Sequence, residues 1–316
     1  MTAPLRIGTR ASALALWQAN WVKTRLEQKW PGTPVELVPI KTTGDKILNV
    51  PLSEVGGKGL FTKEIDDALL AGRVDIAVHS MKDIPFQLPQ GIDFGAIPER
   101  EDPRDALISN GRNLDDLPPA ARIGTSSLRR QVQLRHRMPS VRISTLRGNV
   151  DTRLRKLSAG EFDAIVLALA GLKRLGHESL VTQILDESFM LPAVGQGALG
   201  IVCRTDDKKV QGQLTLLDHS ATHLAVDAER GLLAALEGSC KVPVAGHARI
   251  VDGQIVLKGL VANLAGTTVI TGEVTGDTAK GRDLGIALGK DLLDRGGRAI
   301  LAEIASGSGS SHGTSR

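Results

Sequence analysis

The tetrapeptide Arg6-Ile7-Gly8-Thr9 occurs again as Arg122-Ile123-Gly124-Thr125. The first copy leads into ASALALWQANWVKTRLEQ (residues 11–28) and the second into SSLRRQVQLRHRM (residues 126–138). Each reads as a short strand, a tight turn and a helix whose first turn carries a hydroxyl cap, Ser12 in one and Ser126 or Ser127 in the other. A second pair follows in the same order. Leu69-Leu70-Ala71-Gly72-Arg73-Val74-Asp75 resembles Leu157-Ser158-Ala159-Gly160-Glu161-Phe162-Asp163, and each precedes an apolar strand, IAVHS or AIVLALA. Two collinear partial repeats predict two similar α/β domains, each a mostly parallel sheet with crossover helices. Chance matching of such short stretches is the alternative.

Arg6 and Asp75 are 69 positions apart, Arg122 and Asp163 only 41, so the first copy carries about 28 more residues. Much of the excess falls in KTTGDKILNVPLSEVGGKG (residues 41–59), a polar, glycine-bearing segment. A long loop in a compact domain is commonly a lid, and a mobile loop is expected over 42–58. Beyond Asp218 the pattern changes. HLAVDAERGLLAAL reads as a helix and EGSCKVPVAG as a loop; ARIV and QIVLKGLVA flank an Asp252-Gly253 turn, TTVITGEV follows, and a helix lies around residues 284–293. This is a small α+β unit with a three-stranded antiparallel sheet. Because LPAVGQGALGIVCR is strand-like, the chain is expected to cross back into the first domain there. The expected organisation is 1–98 with 198–218, then 99–197, then 219–306, with a disordered tail at 307–316.

The chain has 316 residues, 41% hydrophobic and 23% charged, the balance of an ordinary globular protein long enough for a sizeable core. Two cysteines, Cys203 and Cys240, exclude a disulfide-rich scaffold and a multi-cysteine zinc site. No apolar run approaches the ~18 residues of a membrane span, and MTAPLRIGTR has no signal-peptide pattern, so the cytosol is the expected compartment. The net charge of +4 hides an asymmetry: residues 122–156 hold nine arginines and one lysine against Asp151 alone, a balance of +9, which leaves −5 for the rest. A solvated helix face would mix in acids. An arginine-dominated segment suits bidentate capture of carboxylate or phosphate.

Ligands of open α/β sheets bind at strand C-terminal ends, where helix N-termini offer unpaired N–H groups. Arg10 and Ser12 lie at one such junction; Thr125, Ser127, Arg129 and Arg130 lie at the other, and Arg147, Arg153 and Arg174 extend the second wall. Lys82 and Asp83 end a predicted strand at the same edge. Asp83 is read either as an ordinary loop aspartate or as the lone anion of a cationic cleft, fit to stabilise a developing cation or shuttle a proton. His79 reads as a satisfied core histidine and Cys203 as a buried strand residue. Cys240, in a loop before Lys241, is a plausible nucleophile or attachment point. No metal-ligand spacing and no phosphate-binding GxxxxGK[ST] loop occurs.

RIGTRASALALWQ, KTTGD, GGKGLFTKEIDDALLAGRVDIAVHSMKDIP, IGTSSLRRQ, LRGNVDTRLRKL, LPAVGQGALGI and ERGLLAALEGSCKVPVAGHA together resemble the hydroxymethylbilane synthase (porphobilinogen deaminase) family, in the family's order from about Arg6 to Ala248. The resemblance implies two periplasmic-binding-protein-like α/β domains and a small α+β domain. It implies head-to-tail condensation of four porphobilinogen molecules with loss of ammonia, then hydrolytic release of the linear tetrapyrrole. It further implies a dipyrromethane primer held by a thioether at Cys240, Asp83 as catalytic carboxylate, and a loop over 41–59 that shields reactive intermediates from water. Arg10, Ser12, Lys82, Thr125, Ser127, Arg129, Arg130, Arg147, Arg153 and Arg174 match the family's cofactor- and substrate-binding positions, and Gln18 and Phe61 match positions at the cleft and its loop. The expected partner is porphobilinogen, with a monomeric chain and neither nucleic acid nor membrane. Two departures stand out: Gly238-Ser239-Cys240-Lys241 where Gly-Gly-Cys-Gln is common, and His247 where an aromatic residue is frequent. The rival readings are a non-catalytic two-domain anion-binding protein and an RNA-binding protein using the basic segment. Against the latter, residues 122–156 hold no aromatic side chain for base stacking.

Overall fold

The computed structural model describes residues 3–46, 59–236 and 242–307. The first copy of the repeat forms β1 (Leu5–Thr9) and α1 (Ala13–Lys29), followed by β2 (Val35–Pro39), a turn of helix α2 (Thr43–Lys46), α3 (Lys63–Leu70), β3 (Ile76–Ser80) and β4 (Ile92–Ala96). Beyond them the chain makes β5 (Asp105–Ser109). The second copy then forms β6 (Arg122–Gly124) and α4 (Leu128–Arg137), with β7 (Arg142–Ser144), α5 (Val150–Ser158), β8 (Ala164–Ala168), α6 (Leu169–Arg174) and β9 (Gln183–Leu185) after it. The chain continues through β10 (Leu199–Arg204), α7 (Lys208–Leu214), α8 (Ser220–Ala235), β11 (Val244–Val251), β12 (Gln254–Ala262), β13 (Val269–Asp277), α9 (Gly281–Leu292) and α10 (Arg298–Gly307).

The repeat has a physical cause. Arg6 donates from its backbone N–H and its Nε to the Asp75 carboxylate, and its Nη2 donates to Gly72 O. Arg122 repeats the pattern, backbone N–H to Asp163 and Nη2 to Gly160 O. In each copy an arginine near the start of a parallel strand ties it to the turn that starts the neighbouring strand, β1 to β3 and β6 to β8. The glycine of each tetrapeptide lets a helix or strand pack close: a Cβ on Gly124 would meet Phe162 at 2.8 Å and Ile165 at 3.0 Å.

Five strands in the order β2-β1-β3-β10-β4 form one sheet, and β7-β6-β8-β5-β9 another. In each, four strands run the same way and one runs against them. β10 runs antiparallel to β3 and β4, and β5 antiparallel to β8 and β9. The cause is that the chain leaves the first sheet after β4, builds the second, and returns as β10 from the opposite direction. The two crossing segments lie side by side, with the Glu101 N–H donating to Gly197 O. Gly197 has φ +90°, and a Cβ there would meet Glu101 O at 2.2 Å. The run AIVLALA is strand only through Ala168; Leu169 and Ala170 already belong to α6, because a buried apolar run does not itself distinguish strand from helix.

α1 covers one face of the first sheet through Ala19, Val22 and Leu26, and α3 covers the other through Ile65, Ala68 and Leu69. α4 and α5 cover opposite faces of the second. Each fully buried leucine or isoleucine contributes roughly 1.5–3 kcal/mol. The third sheet, β11-β12-β13, turns at Asp252-Gly253, both at positive φ, and packs α8, α9 and α10 on one face. Val244–Gly246, read as loop, are strand: Val244, Ala245 and Gly246 pair with Val261, Leu260 and Gly259. The unit docks on α4, where Val132 packs with Ala245 and Leu260. His247, buried, sets its Nδ1 2.9 Å from Glu187 of the second unit, so a polar contact stands at this position.

One carboxylate ties the units together. Glu229 of α8, fully buried, accepts from the Arg100 guanidinium at 2.5 and 3.1 Å and from the N–H groups of Gly195 and Ala248. Among the described residues no helix is long and apolar enough to cross a membrane.

Candidate functional site

β1 and β3 are neighbours, so their C-terminal ends open on one cleft. Arg10, Ser12, Gln18, Phe61, His79, Ser80 and Asp83 line it. Ser12 caps α1, its Oγ accepting from the Ala15 N–H. Gln18, buried on α1, donates to Ser80 Oγ at 2.8 Å. Arg10 stacks on Phe61, 4.2 Å from the ring centroid, and pairs with Asp45. Burial pushes the Asp45 carboxyl up, but the hydrogen bonds from Arg10 and Thr42 outweigh it and hold the group below its ordinary value. Of the expected loop over 42–58, Asp45 is thus held by Arg10 and Gly44 lies against Phe61; residues 47–58 lie outside the described residues.

Asp83 ends a short 3₁₀ turn (Met81–Asp83) that follows β3, and it is the one carboxylate among the described residues lining the cleft. Its neighbour Lys82 donates to Gln196 Oε1 at 3.3 Å. Burial, with Arg130 close by, lowers the Lys82 ammonium to about 8, against the opposing pull of Asp83 and Asp105. Asp83 also acts electrostatically on Arg153 of the second unit. Burial, then Arg130 and Arg147, lowers that guanidinium to about 10, and Asp83 partly offsets them. The Lys82-Asp83 turn and the second-unit arginines therefore share one electrostatic field.

The structure also separates roles within the arginine wall. Arg129 and Arg130 are buried and both bind Asp105, which opens β5 and is fully buried: Arg129 Nη1 donates at 2.7 Å, Arg130 Nη2 at 2.7 Å, and Gln196 Nε2 at 2.9 Å. Burial pushes the Asp105 carboxyl up, but the two arginines overwhelm this and hold it far below the usual carboxylate range. Arg129 Nε is left buried without a partner among the described residues. Sequence reading missed Asp105 and Gln196. The signal for Asp105 was a lone acid opening the apolar run ALIS; Gln196 gives none.

Thr125 is buried, and its Oγ1 accepts from the Ser127 N–H. Ser127 is the N-cap residue of α4, yet its hydroxyl does not cap the helix, unlike that of Ser12. Ser126 donates instead to Leu146 O. Arg153 donates to Gly148 O, in the turn that follows Arg147. Arg174 donates to Gly197 O at 2.6 Å and lies 5.8 Å from the Trp17 ring, bridging the second unit to the first. Cys203 is buried in β10, its thiol pushed up to about 11 by burial and by Asp207 and Asp93. Cys240, with the flanking Gly238, Ser239 and Lys241, lies outside the described residues.

The porphobilinogen deaminase, dipyrromethane cofactor binding domain matches residues 5–212, and the porphobilinogen deaminase C-terminal domain matches residues 223–294. A porphobilinogen deaminase of Syntrophobacter fumaroxidans is 54% identical over 95% of this chain and 97% of its own length. One of Geobacter sulfurreducens is 54% identical over 95% of this chain and 94% of its own. Among solved structures, an ancestral cationic amino acid solute-binding protein aligns with 67% of this chain and 89% of its own at a TM-score of 0.42 and 18% identity. With both domain families matched in order and half-identical relatives spanning nearly the whole length, the chain belongs to the porphobilinogen deaminase family, the hydroxymethylbilane synthases.

Proposed function

We propose that this chain performs hydroxymethylbilane synthesis with Asp83 as its catalytic carboxylate, Cys240 as the attachment point of the primer, and the two facing basic walls as the holders of the growing anionic chain. The observation that carries the reading is Asp83 itself, a lone carboxylate in a cleft lined by Arg10 and Ser12 and coupled to Lys82 and Arg153. Each porphobilinogen ring brings two carboxylates, so elongation accumulates negative charge that the cationic walls neutralise. Loss of ammonia from porphobilinogen develops positive charge shared with the pyrrole nitrogen. A carboxylate aimed at that N–H stabilises the cation, the preorganised electrostatics that contribute most to many enzymes.

The side chains present fit a dipyrromethane group: the wall is rich in guanidinium donors, with Arg129 Nε buried and unpaired among the described residues and the Ser127 hydroxyl not used in capping. Lys82, Thr125, Ser127, Arg129, Arg130, Arg147 and Arg153 would hold its carboxylates. When bound, it supplies the nucleophilic pyrrole carbon onto which units are added. Arg10 and Ser12, with Arg174 bracing the second unit, would bind the incoming substrate, Gln18 would orient Ser80, and Phe61 would hold the Arg10 guanidinium in place. We assign the chain to the cytosol as a monomer, on the ordinary soluble composition and the family's character. The test is intact mass: the purified enzyme should exceed its sequence mass by a two-ring adduct, and Cys240→Ser should not. A wild-type enzyme active on porphobilinogen and free of adduct would overturn the attachment.

A further inference from the structure

His79 is the penultimate residue of the apolar strand IAVHS and is 6% exposed, its backbone paired with Gly200 in the middle of the first sheet. A histidine there is expected to satisfy both ring nitrogens within the core. Instead Nε2 is buried and has no hydrogen-bond partner among the described residues, while His79 is one of the residues lining the cleft with Arg10, Ser12 and Asp83. Buried polar atoms are rarely left unpaired, and an orphan in a cleft wall points to a ligand atom. Burial, then the charge of Arg10, push the imidazolium down to about 4, so the ring at neutral pH carries one N–H and no charge.

We propose that His79 is a further substrate-contacting residue, its Nε2–H donating to a side-chain carboxylate oxygen of the porphobilinogen ring that sits on Arg10 and Ser12. The chemistry favours a carboxylate over the substrate's ammonium, because the guanidinium beside the imidazole repels a cation and attracts an anion. An uncharged donor adds a hydrogen bond to that anion without burying another charge. The inference rests on the reading of Arg10 and Ser12 as substrate contacts.

The test uses the primed, full-length enzyme. His79→Leu should raise KM for porphobilinogen about tenfold to a hundredfold, the worth of one hydrogen bond to a charged group, with the loss falling on KM rather than kcat. His79→Gln, whose amide reaches the Nε2 position, should recover KM to within about threefold. An unchanged KM in His79→Leu, or a Gln variant as impaired as the Leu variant, overturns the proposal. Should His79→Leu fail to fold, ¹⁵N-histidine NMR of the wild type decides, with His79→Gln assigning the resonance. The Nε2 signal should move on adding a porphobilinogen analogue that keeps both carboxylates, and should stay when the contacted carboxylate is replaced by methyl or ethyl. A signal indifferent to all analogues overturns the proposal. Arg10→Ala separates the two readings. If it too leaves KM unchanged, the substrate-site reading fails; if it raises KM while His79→Leu does not, only the His79 contact fails.

Discussion

Replacing Asp105 by asparagine keeps its shape and removes the one negative charge that Arg129 and Arg130 share in the interior. The Arg129 and Arg130 side chains are 5% and 7% exposed and that of Asp105 fully buried, so solvent screens little of the interaction. Removing one partner of a buried ion pair costs about 3–5 kcal/mol, chiefly because the remaining charge is left uncompensated. Here two cations are stranded, and the hydrogen bond from Gln196 is weakened as well. Against the ~5–15 kcal/mol of a typical domain, this is a large fraction. The pH dependence carries its own sign. The folded carboxyl lies far below its unfolded value near 3.9, so its contribution is fully present above about pH 4 and is lost as the pH falls beneath that. The asparagine variant should therefore lose stability at neutral pH and show a flatter acid limb. Trp17, Trp21 and Trp30 all belong to the first unit, so tryptophan fluorescence is a poor reporter; hydrogen exchange of β5, β8 and α4 is the suitable assay. Protection in those elements equal to wild type at pH 7 would refute the reasoning, and so would an unaltered acid limb.

Three further outcomes follow. Glu229→Ala should cost a similar ~3–5 kcal/mol in urea unfolding, because it strands Arg100 and leaves the Gly195 and Ala248 N–H groups unpaired; a midpoint shift equivalent to less than about 1 kcal/mol would contradict this. Lys82 loses its proton near pH 8 in the folded protein, so the wild-type KM should climb above that pH, and Lys82→Arg should flatten the climb. Since the unfolded lysine titrates near 10.4, the unfolded chain binds more protons between these values, and the lysine's contribution to stability rises with pH across that window. Cys240→Ser should purify without the two-ring adduct by intact mass.

Much of the fold was legible because repeated residues perform repeated tasks. Arg6 with Asp75 and Arg122 with Asp163 tie strand to turn in both copies, and Gly8 and Gly124 admit packing that a Cβ would crowd at Gly8 and collide with at Gly124. Strand direction was not legible: nothing local in Leu199–Arg204 says that it enters the sheet from the opposite end. The basic wall was visible in composition, but its internal counter-ion was not, since Asp105 lies 24 residues before Arg129 and meets it only through the sheet. Charge counted along the chain therefore did not show that Arg129 and Arg130 carry an internal counter-ion. His79 was misjudged for a related reason, as strand periodicity places a residue in a core without saying whether its polar atoms find partners there.

The most direct measurement is the intact mass of Asp83→Asn after incubation with porphobilinogen. If this carboxylate steadies the cationic pyrrole while the basic walls and Cys240 hold the chain, the variant should carry the two-ring adduct and show no ladder of added ring masses. A ladder matching that of the wild type would contradict the account.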